Sequence, residues 1–162
     1  MTTTHRLTFA SELDAPANAI WDVVGTMAGV NAELGPWIRM TAPGDASRFR
    51  VEDAPIGETI FHSWVLFGGV LPIDRHSMRL VAVNHGQGFV EDSVSWSERR
   101  WGHQRDLDPV SEHRTRVTDR LTFTPRVEAS GPMLVRVVGA VFRHRHRQLR
   151  KRFGGVAVPI SS

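Results

Sequence analysis

The sequence predicts an α+β fold: a curved antiparallel sheet of six or seven strands wrapped around one long C-terminal helix, with two short helices after the first strand. Three observations predict it. Between Trp37 and Val127, apolar residues alternate with period two in short runs divided by Gly, Pro, Asp and Asn. Beyond Pro125 the period lengthens to three or four and holds for about twenty residues. A sheet of that size has a face to bury, and only the last helix is long enough to cover it.

The first strand is expected in "LTFASELDAP", where Leu7 and Phe9 alternate with Thr8 and Ala10 up to Pro16. Asp14 is a candidate cap and Pro16 suits a first helical turn. Ile20, Trp21, Val23, Val24 and Met27 then recur near helical spacing, predicting a helix of roughly twelve residues. "VNAELGPW" predicts a second short helix stopped by Gly35 and Pro36. Strands follow in "WIRMTA", "RFRVED", "ETIFHSWVLFG", "HSMRLVAVN", "GFVEDSVSW", "RWGHQRDL" and "RTRVTDRLTFTPR", an antiparallel meander with "NHGQG" at 84–88 as a hairpin turn. From Gly131 and Pro132 onward, Leu134, Val138, Val141, Arg145, Leu149 and Phe153 form one face of the long helix, closed by Gly154 and Gly155. Curling the sheet around this helix leaves a space between them, so a cavity is expected. With no internal repeat or low-complexity linker, residues 1–162 are expected to form one domain.

Composition removes several classes of chemistry. The chain contains no cysteine, which excludes disulfides, thiolate metal sites and a cysteine nucleophile. It contains no tyrosine, so no phenol can donate a proton in a pocket. Serine-elbow, phosphate-loop and HExxH patterns are absent from the sequence. His144 and His146 lie two apart on a helix and point in different directions, so no metal and no cofactor is expected. The N-terminal residues carry no apolar run of signal-peptide type, and "WVLFGGVLPI" is far short of the ~20 residues of a membrane span. A cytoplasmic location is the expectation. Six of the 20 basic residues fall in Arg143 to Arg152, so the rest of the chain is net acidic. A solvated helix end, favoured by the dipole, explains this run. Contact with a membrane surface or nucleic acid is the lesser alternative, the run lacking interleaved aromatics for base stacking.

Strand parity singles out candidate site residues. In "RTRVTDRLTFTP", Asp119 shares its side with Thr115, Val117, Leu121 and Phe123, so a buried carboxylate is expected to need a partner. In "RRWGHQRDL" the side holding Trp101, His103, Arg105 and Leu107 faces inward, which places His103 or Arg105 opposite Asp119. That grouping is either a structural ion pair or a polar floor that binds a ligand oxygen, with His103 as acid or base. In "LPIDRHSMRLVAV", His76 shares the inner side with Met78 and Leu80, as a satisfied core residue or a ligand contact, with Asp74 beside it. Trp21 and Trp96 are expected in the core. Trp37, Trp64 and Trp101 are expected to line the cavity, with Phe142 facing them from the long helix.

The order of elements, "ASELDAPANAIWDVV", "RRWGHQRDL" and "TRVTDRLTFTP" together resemble the START-like superfamily, also called the helix-grip or SRPBCC fold, and within it the polyketide cyclase/dehydrase and lipid-transport group. The resemblance spans nearly the whole chain. It implies a START-like ligand-binding domain with a deep apolar pocket for a hydrophobic small molecule such as a lipid, polyketide or steroid. Two functions follow from it: binding or transport of that molecule, or an aromatase/cyclase or dehydratase reaction using His103 or His76 with Arg105 and Asp119. Fold alone does not choose between them. The sequence carries no signal for an oligomeric state.

Overall fold

The computed structural model describes residues 2–160. Its elements run β1 (His5–Leu13), α1 (Ala17–Val24), α2 (Met27–Leu34), β2 (Ile38–Met40), β3 (Thr59–Phe67), β4 (Leu71–Asn84), β5 (Gly88–Ser95), β6 (Glu98–Ser111), β7 (Arg114–Pro125), α3 (Gly131–Phe153) and β8 (Val156–Val158). The eight strands form one antiparallel sheet in the order β2-β3-β4-β5-β6-β7-β1-β8. Strands β2 to β7 pair successively, and β1 closes on β7 in register from His5 with Phe123 to Leu13 with Thr115. The helix-grip architecture, with two short helices after the first strand and α3 along the concave sheet, is therefore present. No described helix is long and apolar enough to cross a membrane.

Local chemistry sets the element ends. α1 is eight residues rather than twelve, because the chain turns at Gly25 and α2 restarts at Thr26, whose hydroxyl accepts the Gly29 N–H at 3.0 Å. Asp14 does not cap α1; it accepts from Arg114 Nη2 at 3.0 Å. "RFRVED" is not a ladder strand. Only Arg50 makes an isolated bridge, to Thr26, and Val51–Asp53 is a 3₁₀ turn. Its alternation arises because Phe49 and Val51 turn onto the cavity while Arg50 and Glu52 pair with each other outside it. The final strand β8 was hidden behind the helix stop: after Gly154 (φ 76°) the chain folds back against β1, and a Cβ at Gly155 would meet Glu12 O at 2.0 Å.

Between sheet and α3, polar and apolar layers alternate. One apolar cluster joins Leu13, Ile20, Trp21, Val24, Leu107, Val117 and Leu149, and a second joins Leu121, Phe123, Leu134, Val138 and Phe142. Asp119 lies between Val117 and Leu121 on β7, and Arg145 and His146 lie between Phe142 and Leu149 on α3. A polar seam thus crosses the core where the two clusters part.

Three tryptophan positions differ from expectation: Trp96, Trp64 and Trp37. Trp21 is buried, but Trp96 is 61% exposed, standing edge-on to Trp64 with ring centroids 4.9 Å apart. Adjacent residues of a strand face opposite ways; Val65 faces the cavity, so Trp64 faces outward. The basic run is also not one surface. Arg145 is buried and Arg150 Nη1 donates to Ser11 Oγ at 2.7 Å, leaving Arg143, Arg147, Lys151 and Arg152 outside.

Candidate active site

A cavity of about 400 Å³ lies between the sheet and α3. Its apolar wall includes Met78 and Leu80 from β4, Trp101 from β6, and Leu134, Val138 and Phe142 from α3. Inward parity of β4, β5 and β6 also puts the polar side chains of Asp74, His76, Glu91 and His103 on this wall, the register shift between Glu98 and Arg100 turns Glu98 onto it, and Arg145 enters from α3.

His76 and Glu91 form the tightest pair on the wall. His76 Nε2 meets Glu91 Oε1 at 2.5 Å, and Ser93 Oγ donates to the same oxygen at 2.7 Å. Burial opposes a charge on His76, yet the Glu91 carboxylate raises its pKa above the ordinary histidine value. Burial likewise opposes charge on Glu91, but His76 and His103 hold its pKa well below the usual carboxylate range. Each partner thus favours the charged form of the other.

Glu98 is different. Burial is the dominant influence and no cation bonds it, so its pKa rises to about 7. Its Oε2 accepts from Ser95 Oγ at 3.0 Å, while Oε1 has no hydrogen-bond partner among the described residues. Its neighbour Asp74 is fully engaged, accepting from the Trp96 N–H at 2.9 Å and from the Ser97 hydroxyl at 2.5 Å.

Behind the wall lies the seam. Arg105 is 0% exposed and does not line the cavity. Its Nε and Nη2 donate to Asp119 Oδ1 and Oδ2, both at 2.7 Å, and its Nη1 and Nη2 donate to Glu33 Oε1 and Oε2 at 2.7 and 3.0 Å. Burial would neutralise Asp119, but this fork drives its pKa well below the usual range, and Glu33 is lowered the same way. An ionised carboxylate only accepts, so the ring nitrogens facing Asp119 are donors: His103 Nε2 at 2.8 Å and His146 Nε2 at 2.9 Å. His146 Nδ1 lies 2.9 Å from Ser11 Oγ, within hydrogen-bond distance. No buried side-chain nitrogen or oxygen among the described residues lacks a partner.

Of the residues expected to contact ligand, His76, Met78, Trp101, His103 and Phe142 line the cavity. Trp37, Trp64, Arg105 and Asp119 do not. Trp37 is 60% exposed, Trp64 packs on the outer face under Arg75, Arg105 spends its donors on Asp119 and Glu33, and Asp119 accepts from Arg105, His103 and His146. His103 touches both regions, with Nε2 on Asp119 and Nδ1 3.7 Å from Glu91 Oε2. Sequence reasoning missed Glu33, Glu91, Glu98 and the inward role of Arg145. Only Arg145 carried a readable signal, an arginine in the apolar stripe of the last helix.

A family model described as a domain of unknown function, DUF8410, matches residues 11–153. No curated protein matches the sequence. Solved structures similar to this one include the ZhuI aromatase/cyclase from Streptomyces sp. R1128, with TM-score 0.69 and 11% identity over 93% of each chain. A START superfamily protein from Mycobacterium smegmatis has TM-score 0.64 and 14% identity over 92% of this chain and 97% of that one. A norcoclaurine synthase point mutant from Thalictrum flavum, in complex with a transition-state analogue, has TM-score 0.61 and 14% identity over 94% and 98%. At these identities the likeness establishes the helix-grip fold alone.

Proposed function

The chain belongs to the DUF8410 family, and on that premise we propose that it is an acid–base enzyme acting on a hydrophobic, carbonyl-bearing small molecule held in the cavity, of the cyclisation or dehydration type. Residues 1–162 are read as one ligand-binding domain. The observation that carries the proposal is Glu98: a buried carboxyl with a free oxygen on the wall of an apolar cavity, poised to exchange a proton near pH 7. A passive carrier of apolar ligands has no need of such a group.

In this reading the ionised fraction of Glu98 takes a proton from the carbon next to the substrate carbonyl. The C–H pair of electrons moves into the enolate. His76, whose protonated form Glu91 favours, gives its proton to a departing hydroxyl, which leaves as water as the C–O bond breaks. Return of the Glu98 proton to His76 restores the starting state. The aromatase/cyclase and norcoclaurine synthase likenesses support a fold able to host such chemistry, and the chemistry itself rests on His76, Glu91 and Glu98.

The test uses 2-acetonaphthone, a neutral apolar ketone, in D₂O. The wild type is expected to bind it and accelerate deuterium uptake at its methyl group, and Glu98→Gln to retain binding while losing about 100-fold of that acceleration. Binding without acceleration in the wild type would leave the carrier reading standing and remove the enzymatic one.

A further inference from the structure

The scheme above leaves one atom unattended: the carbonyl oxygen, on which negative charge collects as the enolate forms. Arg145 lines the cavity from α3, with its side chain only 9% exposed. Its Nε donates to Glu33 Oε2 at 2.9 Å, which fixes the guanidinium, and its Cζ lies over the Phe142 ring, 4.8 Å from the centroid. Its two Nη groups have no hydrogen-bond acceptor among the described residues, and since no fully buried side-chain nitrogen there lacks one, they reach accessible space at the cavity that Arg145 lines. A guanidinium buried this far ordinarily finds acceptors for most of its donors, as Arg105 does one layer deeper. The acceptor is therefore something the cavity receives.

Charge balance narrows what that is. Arg105 and Arg145 are matched by Glu33 and Asp119, and His76 by Glu91. An anionic ligand would add an unmatched buried charge, whereas a neutral carbonyl oxygen supplies the acceptor at no such cost. We propose that the Nη groups of Arg145 form the oxygen-binding subsite of the cavity, selecting neutral ketones over both hydrocarbons and carboxylates. In the reaction the same donors hold the oxygen as it becomes an enolate. The inference rests on the reading of the cavity as a ligand site; it does not require turnover.

Three naphthalenes of nearly equal shape test it by titration calorimetry: 2-acetonaphthone, 2-ethylnaphthalene and 2-naphthoate. In the wild type the ketone is expected to bind more tightly than the carboxylate. Arg145→Met is expected to weaken ketone binding about tenfold, the scale of a hydrogen bond from a charged donor, while 2-ethylnaphthalene changes less than about twofold. A co-crystal of the unaltered protein with 2-acetonaphthone, which needs no variant to fold, is expected to place the ketone oxygen about 3 Å from an Arg145 Nη. Equal losses for ketone and hydrocarbon, preference for the carboxylate, or a ketone oxygen bonded elsewhere would each overturn the subsite while leaving the cavity a ligand site. Failure of all three to bind the wild type would overturn both. Ketone selectivity without deuterium uptake would uphold the subsite and defeat only the enzymatic reading.

Discussion

Two buried charged groups lie side by side in this protein and are built to opposite ends. In the seam, Arg105 is locked by four hydrogen bonds to Glu33 and Asp119, and Asp119 also takes a proton donor from His103 and from His146. At the cavity wall, Glu98 keeps an oxygen that no side chain or backbone group bonds among the described residues, with a pKa of about 7. Both burials cost free energy, but only the seam recovers it within the folded chain. Saturated charge fixes the distance between sheet, α2 and α3; unsaturated charge is available to a substrate. His103, bonded on one ring nitrogen to the seam and turned on the other toward Glu91, marks the boundary.

Breaking the seam gives the largest effect. Arg105→Met removes the one cation shared by Glu33 and Asp119 and leaves two buried carboxylates short of partners. A loss of about 3–5 kcal/mol is expected in urea unfolding, enough to unfold a marginal domain. A loss below about 1 kcal/mol would mean that the fork is ornamental.

The wall has the opposite pH signature. Because Glu98 keeps its proton up to about 7 when folded, against 4.5 as the ordinary value, the folded state binds more protons between those limits. Its contribution is fully present below pH 4.5 and is lost as pH rises through 7, amounting to about 3 kcal/mol at most. Glu98→Gln is expected to flatten that part of the stability–pH curve. The seam runs the other way: Glu33 and Asp119 have lowered values, so their stabilisation is present at neutral pH and is lost as acid protonates them. Thermal melts of both forms from pH 2 to 8 separate the two regions, the wall changing between about 4.5 and 7 and the seam only in stronger acid.

The smallest effect belongs to the outer face. Trp96→Ala removes an exposed edge-to-face contact with Trp64 and is expected to cost about 1 kcal/mol with no change in ketone binding. Loss of binding there would place part of the ligand site outside the cavity.

Much of this was legible in the sequence, for a physical reason. Where a strand's inner side is mostly apolar, as around Asp119 on β7, a single charge stands out and its orientation follows from period two. The same parity turned His76, His103 and Arg105 inward. On β5 the inner residues Glu91, Ser93 and Ser95 are themselves polar, so alternation gave no sign of burial. Glu33 was beyond reach because its partner Arg105 is 72 residues away; the place of Arg145 in the apolar stripe of α3 was readable, but its pairing with Glu33, 112 residues away, was not. Such pairings exist only once the sheet has closed around α3. "RFRVED" shows the converse: alternation reports which side chains turn inward, and a turn across the cavity mouth satisfies it as well as a ladder does.

The central claim is that the unsaturated wall performs proton transfer on a molecule in the cavity, and the pH profile of deuterium uptake by bound 2-acetonaphthone tests it most directly. The wild-type rate is expected to rise with pH and level off above an inflection near 7, where Glu98 ionises, and the inflection is expected to vanish in Glu98→Gln with ketone binding preserved. A bound ketone that exchanges no faster than free ketone, or an identical profile in the two proteins, would contradict the account.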